Sequence, residues 1–425
     1  MTTATPIPPT HPVLDGLDAI IKPLESLYRD LHAHPELSDQ EHRTAARAAE
    51  QLEWAGCEVS TGIGGTGVVG VLRNGDGPTV MLRADLDALP VREDTGLPYA
   101  STATGTDPDG HAVPVMHACG HDMHVTWLAG ATKLLARAPE AWHGTLISLF
   151  QPAEELGTGA QGMIDDHLFD RFPKPDVILG QHVLPPPAGQ ISYRPGVTQS
   201  EEDNIEVRLF GRGGHGAWPE ATIDPIVMAA AVVLRLQTIV SREIAAFEPA
   251  VVTIGSLQAG TKGNVIPKEA VLKINVRSFD QGVRARVLGA IERIITAEAS
   301  ASGAPDPPSF TSFDHFDLTV NDPAAANHVG DAFRAYFGAD RVVDLTNPLP
   351  VSEDFGLFGQ EWKVPSLFWY VGGTDPGLYR RAARAGRIPQ DVPTNHSPRF
   401  APVLHPTLET GIQTLVTASL SYLGR

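Results

Sequence analysis

Two short, predominantly apolar segments constrain this chain most, because each ends in side chains able to hold a metal or a proton. GTLISLF (144–150) runs directly into Gln151-Pro152-Ala153-Glu154-Glu155, and DVILGQHV (176–183) carries His182 near its end. Runs of this length bounded by turn residues read as buried strands. Helical stretches alternate with them: VTWLAGATKLLARA after HACGHD, and residues from about Ala160 to Phe169. Alternation of strand and helix favours an α/β sheet, and such sheets bind ligands beyond the C-terminal ends of their strands.

The rest of the chain divides in two. Leu14, Leu17, Ile20, Ile21, Leu24, Leu27 and Leu31 recur at helical spacing, predicting a helix to His34 that Pro35 ends. Ser38-Asp39-Gln40-Glu41 reads as a capping box, hydroxyl at N-cap and carboxylate at N3, opening a helix to Gly56. CEVST, TGVVGVLR and TVMLRADL read as strands, with Asn74-Gly75-Asp76-Gly77 as the turn between the last two. From Val197 to Pro308 the order is strand, long helix (Pro225 to Val240), strands PAVVTIGSLQAG and EAVLKINVRSFD, then a helix from Gly282 to Ser302. GAPDPPSF closes this β-α-β-β-α unit as a linker. The expected fold is therefore α/β with two domains. A catalytic domain with a mixed central sheet is built from residues 1–196 and 309–425, and an inserted domain spans 197–308.

A net charge of −18 argues against nucleic acid and anionic membranes as partners. No apolar run reaches the length of a membrane span. MTTATPIPPTHPVLDG lacks the basic and apolar regions of a signal peptide and reads as a poorly ordered lead-in, so the expected location is cytoplasmic. Two cysteines, Cys57 and Cys119, exclude a disulfide framework.

Candidate metal ligands fall in four separated segments: Cys119 and His121 in HACGHD, Glu154 or Glu155, His182, and His396 in TNHSPRF. Thiolate, imidazole and carboxylate suit zinc or a similar borderline metal, and the carboxylate also suits manganese or cobalt. A second glutamate can take a proton from a water acidified by the metal and pass it on. Singly, each has a blander reading: a structural strand-end histidine, a weak Cys-x-His pair, a solvated pair of glutamates. Three rivals exist. Gly62, Gly64, Gly67 and Gly211, Gly213, Gly216 fit G-x-G-x-x-G, as a dinucleotide-dependent oxidoreductase would require. However, VVGVL follows the first set, and the helix after the second starts only near Asp224-Pro225. Cys119 as a nucleophile with His121 or His124 as base is a poor fit, since such close neighbours rarely form the needed hydrogen bond. A non-catalytic binding protein on the same fold would be signalled by loss of Glu154 or of a ligand, and none is lost.

HACGHDMH, LFQPAEE, GQHV, GRGGHGAWP and HSP, in this order, with LHAHPELSDQEHRT and RADLDALPVRE before them, resemble the aminoacylase and carboxypeptidase group of cocatalytic metallopeptidases. The match is best to its amidohydrolase branch, with hippurate hydrolase, N-acetyl-amino-acid deacetylases and indole-acetyl-amino-acid hydrolases, and it covers the chain from about Leu24 onward. The resemblance implies metal-dependent hydrolysis of N-acyl amino acids, with a dipeptidase or aminopeptidase as the alternative. It implies that Cys119, His121, Glu155, His182 and His396 bind one or two divalent metals (Mn, Zn, Co or Ni), and that Glu154 is general base and acid. His215 would donate to the oxyanion, usually from the partner subunit. Asn264 in KGNVIP and Arg277 in NVRSFD would hold the substrate carboxylate, which an arginine fork can pair at both oxygens. The inserted domain would serve as lid and dimer contact in a homodimer or larger assembly.

The chain departs from the pattern in places. Arg83-Ala84-Asp85 stands where distant members have a ligand in His-x-Asp. Asp85 then reads as the partner of a metal-binding imidazole or as a capped strand end, and Asp122 as a similar partner or a helix N-cap. Met123 replaces a small residue, a bulkier side chain expected to narrow the pocket or change its shape. SPRFAPV follows His396 where relatives often carry acidic residues.

Overall fold

The strands that carry the candidate residues belong to one eight-stranded sheet. In the computed structural model, which describes residues 11–424, its order is Glu58–Ile63, Gly67–Asn74, Gly144–Gln151, Thr79–Asp85, Val177–Pro187, Ser366–Thr374, Ile191–Tyr193, Val342–Asp344. The expected lead-in at residues 1–10 lies outside the described residues. The four middle strands are parallel to one another, and antiparallel pairs flank them, so the sheet is mixed. Val80, Met81, Leu82, Leu146, Ile147, Leu149, Ile178 and Leu179 are all fully buried, as near-continuous apolar runs are in parallel strands covered on both faces. Asp85 pairs with Gln151 and Arg83 with Gly180, which brings the ends of two strands to one level beside the middle of Val177–Pro187.

The turn at Asn74–Gly77 joins two strands that do not pair. Gly144–Gln151 lies between them, antiparallel to Gly67–Asn74 and parallel to Thr79–Asp85. The capping box at Ser38 also does not form. The helix is His42–Trp54, its N-cap Glu41 makes no side-chain cap bond, and Glu36 instead accepts from the amides of Arg43 and Thr44.

The chain forms two compact units. One comprises the chain up to Thr198, Val320–Asn347 and Asp354 onward; the other comprises Gln199–Thr319 and Pro348–Glu353. The second unit holds a four-stranded antiparallel sheet ordered Ala250–Ala259, Glu269–Ser278, Glu201–Phe210, Ser309–Phe316. Its last strand starts inside the segment read as a linker, and this carries the unit past residue 308. Helix Pro225–Arg242 starts on Asp224, whose side chain accepts from the Ile226 amide, with Pro225 in the first turn. It is long and apolar enough to cross a membrane, contrary to the sequence expectation. Its buried row, Met228, Ala229, Val232, Leu236 and Ile239, belongs to the core of this unit.

His315 and Asp203 face each other across two strands of this unit. Arg284 pairs with both oxygens of Asp203 (2.6 and 2.7 Å), and His315 bonds Asp203 (3.1 Å) and Asp317 (3.2 Å). Those bonds push His315 up to about 10, against an unfolded value of about 6.5. Its contribution is complete below about pH 6.5 and is lost as pH rises through about 10. His315→Gln should therefore cost about 1 kcal/mol more at pH 6 than at pH 10.5, after allowance for its partial exposure. Urea unfolding at the two pH values measures this, and an equal cost at both would refute the assignment.

Candidate metal centre

The HACGHD turn is built around Gly120. It has φ 89° and caps helix His121–Arg137, and a Cβ there would lie 2.4 Å from Val183 Cγ1, so both backbone and space require glycine. The turn sets Cys119 Sγ 3.4 Å from His182 Nε2. His396 comes from a loop tied to the same turn: its amide donates to the Ala118 carbonyl (2.8 Å), and Asn395 donates to the carbonyls of Cys119 and Val183. Glu155 Oε2 lies 3.4 Å from His396 Nε2, and Glu154 Oε2 lies 3.8 Å from His121 Nε2. The structure thus brings together all five expected ligands and Glu154, and every one of these residues lies in the first unit.

Hydrogen bonds fix which imidazole nitrogens face the centre. His121 Nδ1 bonds Asp87 Oδ1 (3.1 Å), and its buried Nε2 makes no hydrogen bond. His182 Nδ1 donates to the Val183 carbonyl (2.7 Å), leaving Nε2 toward Cys119. Burial, reinforced by His124, holds His182 well below the ordinary imidazole range, so it is a neutral donor. Burial opposes the charged form of His121, but Asp85 and the bond to Asp87 hold it well above that range.

The residues fit a divalent metal. Buried Glu155 Oε1 and His121 Nε2 have no hydrogen-bond partner. Orphaned buried atoms of this kind cost roughly 1–3 kcal/mol each, and a cation would satisfy both. Two groups of donor atoms, each within 4.8 Å of one another, are Cys119, His121, His182 and Cys119, Glu155, His396. Sulfur, nitrogen and oxygen donors together suit a borderline metal.

Several neighbours depart from expectation. Asp87 orients His121, whereas Asp85 lies 3.8 Å away and instead bonds His124 Nδ1 (2.6 Å) and Arg83 Nη1 (2.7 Å). His124 Nε2 then accepts the Val183 amide (2.9 Å), holding the strand beside His182. Asp122 is not the N-cap, which is Gly120. It accepts the Met123 amide and pairs with His32 (2.6 Å), which also bonds Glu93 and is pushed up to about 9 against the opposing effect of burial. Met123 is fully buried in the apolar core, so it does not narrow a pocket. The glycine runs open no helix: Gly62 to Gly67 turn between antiparallel strands, and Gly211 to Gly216 lead through the short strand Gly214–His215.

In the second unit, His215 and Asn264 are exposed neighbours. His215 pairs with Val265, and the Gly216 amide donates to the Asn264 carbonyl (2.9 Å). Arg277 pairs with Glu202 (2.6 Å) and donates to Ser352 (3.0 Å).

Sequence reasoning missed the role of Arg83. Fully buried, it bonds Gln151 (2.8 Å), Asp85 (2.7 Å) and Asp354 (3.1 Å). An arginine at the end of an otherwise apolar strand was the available signal. Arg83→Met should cost about 3–5 kcal/mol, because it takes a buried cation from two buried carboxylates. Urea unfolding checks this, and a loss below about 1 kcal/mol would show that other partners carry the charge.

Comparisons with known proteins agree with this geometry. Residues 81–383 match peptidase family M20/M25/M40. The chain is 38% identical to the hippurate hydrolase of Campylobacter jejuni, over 81% of this chain and 87% of that one. It is 35% identical to thermostable carboxypeptidase 2 of Saccharolobus solfataricus, over 81% and 84%. The crystal structure of the Bacillus subtilis YXEP protein, described as a dinuclear metal binding peptidase from the M20 family, superposes with a TM-score of 0.73 at 30% identity, over 95% of this chain and 98% of that one. Matched over residues 81–383, the chain belongs to peptidase family M20/M25/M40.

Proposed function

We propose that this chain is a divalent-metal-dependent amidohydrolase that cleaves the amide bond of N-acyl amino acids, with Glu154 moving the proton. Family membership makes it a hydrolase of amide bonds. The observation that carries the finer reading is the convergence of Cys119, His121, Glu155, His182 and His396 beside a further carboxylate, Glu154. These five side chains would hold the metal. Cys119 belongs to both groups of donors described above, and the set would hold one or two ions. When bound, such an ion polarises the amide carbonyl and acidifies water to a pKa of roughly 7.

The side chains divide the remaining work. Glu154 takes the proton of the attacking water and delivers it to the leaving nitrogen. Asp87 holds His121, and the Val183 carbonyl holds His182, so neither ring turns during the reaction. His215 is assigned the oxyanion, and Asn264 and Arg277 the substrate carboxylate. These roles rest on the family resemblance. A hippurate-like or N-acetyl substrate is favoured, since a relative cleaving hippurate is 38% identical. The carboxypeptidase relative keeps dipeptides as the second reading. Two free thiols fit a reducing compartment, and we place the enzyme in the cytoplasm.

A homodimer fits the second unit. Helix Pro225–Arg242 exposes Val227 (67%) and Leu234 (73%), and Ala250–Ala259 is an edge strand. Such a surface is usually covered by a partner.

Protein as isolated, stripped with chelator, and refilled with Mn, Co, Ni or Zn should lose and regain hydrolysis of N-acyl amino acids. Glu154→Gln should retain metal and fold but lose at least about 10²-fold in kcat. Near-normal turnover in that variant removes Glu154 from the mechanism. Leu234→Glu should convert dimer to monomer in light scattering, and an unchanged mass would place the interface elsewhere.

A further inference from the structure

Segment Glu36–Glu41 precedes a helix whose start it does not cap through the expected residues. Glu36 does the capping, by accepting the amides of Arg43 (3.0 Å) and Thr44 (2.8 Å). Ser38 and Glu41 are thereby released, and both reach into the centre. Ser38 Oγ donates to Asp87 Oδ2 (2.7 Å). That oxygen also accepts the Glu155 amide (3.0 Å), while Oδ1 of the same carboxylate bonds His121 (3.1 Å). Glu41 is fully buried. Its Oε1 accepts the Ala153 amide (2.8 Å) and its Oε2 accepts from Thr66 Oγ1 (2.8 Å).

The backbone is shaped for this contact. Among the described residues, five non-glycines have positive φ, and three of them are Asp39 (64°), Ala153 (47°) and His396 (67°). Residues with a Cβ hold that conformation only where the surroundings enforce it, and such positions cluster at functional sites. Asp39 lies between Ser38 and Glu41, and Ala153 lies just before Glu154. The segment is also aligned along the strand end: the Ala88 amide donates to the Glu36 carbonyl (2.8 Å), and Leu37 bridges Ala88 in parallel. Burial, with Asp87 nearby, pushes the Glu41 carboxyl up to about 7, so a carboxyl is kept here despite unfavourable surroundings.

We propose that Ser38 and Glu41 are positioning residues for the reaction. Ser38 fixes Asp87 and through it the ligand His121, while Glu41 fixes the turn that presents Glu154 and Glu155. This rests on the ligand set and the role of Glu154 given above. The two braces act on different quantities. Without an acceptor, the Ala153 amide is buried and unpaired, and the turn relaxes. The Glu154 carboxyl then moves, which affects the chemical step. Without Ser38, Asp87 loses a donor and holds His121 less firmly, which affects metal retention.

The test compares variants by metal affinity, measured without turnover by chelator competition with Zn or Mn, and by kcat and KM at saturating metal. Glu41→Ala should lower kcat by about 10²-fold, the effect expected of a small misplacement, with KM and metal affinity near wild type. Glu41→Gln keeps an oxygen for the Ala153 amide and an NH2 for Thr66, and should restore kcat to within a few-fold. Ser38→Ala should weaken metal affinity by roughly 10-fold and change kcat less. Equal losses in Glu41→Ala and Glu41→Gln, normal kcat in Glu41→Ala, or unchanged metal affinity in Ser38→Ala would overturn the proposal. Should Glu41→Ala not fold, Thr66→Val takes away one donor to Glu41 and should lower kcat several-fold; unchanged kcat there overturns the Glu41 brace. Glu154→Gln in parallel separates the two levels. Normal turnover in Glu154→Gln refutes the functional reading itself. Its loss there with normal turnover in Glu41→Ala refutes only this inference.

Discussion

The carboxylate of Asp87 accepts from Ser38, from the Glu155 amide and from His121 Nδ1, and the arrangement of the centre depends on it. Each bond comes from a different part of the chain. A carboxylate is suited to the task because its two oxygens offer about four acceptor positions. By taking Nδ1 it leaves His121 Nε2 for the centre, and by taking the Glu155 amide it fixes the turn after the Gly144–Gln151 strand. Since Asp87 is fully buried, none of these bonds competes with water, and hydrogen bonds strengthen in such surroundings.

The second constraint is charge. Asp85, Asp87, Asp122, Glu154 and Asp354 are all buried in the same unit, and Arg83 and His32 lie among them. Burying a carboxylate is tolerable only when it is paired and hydrogen-bonded. Arg83 serves Asp85 and Asp354, and His32 serves Asp122 and Glu93. Glu154 and Glu155 face His121 and His396. A divalent cation there supplies the remaining positive charge, so the same electrostatics that hold the unit together also favour metal.

Much of this was legible from the chain. Alternation of strands and helices points to an α/β sheet with its site beyond strand ends, so Glu154, Glu155 and His182, each late in or just past an apolar run, could be grouped from sequence. Which imidazole Asp85 would meet was not legible: it is the final strand residue and bonds His124, while Asp87, two residues on, bonds His121. Past it the alternation of faces no longer applies, and proximity to the strand end is a poor guide. Met123 was misjudged because helix His121–Arg137 is buried on nearly every side. A residue next to a ligand in sequence can then point straight into the core. The capping box failed for a related reason. Ser-x-x-Glu satisfies a local rule, but long-range buried donors at Thr66 and Ala153 claimed Glu41 first, and Glu36 was available to cap instead.

Arg83 ties these threads together. Near the end of its strand it is a buried cation that no metal can use as a ligand. Its guanidinium holds Asp85, and Asp85 in turn holds His124 against the Val183 amide. The strand end thereby serves as support and not as a donor to the centre, since His124 in turn holds the strand beside His182. Despite its burial, the Asp85 carboxyl is held well below the usual carboxylate range by His121, His124 and Arg83 together. On the proposed reading, Cys119, His121, Glu155, His182 and His396 supply the donors, and the Arg83–Asp85 pair behind them keeps a buried charge compensated whether or not a metal is bound.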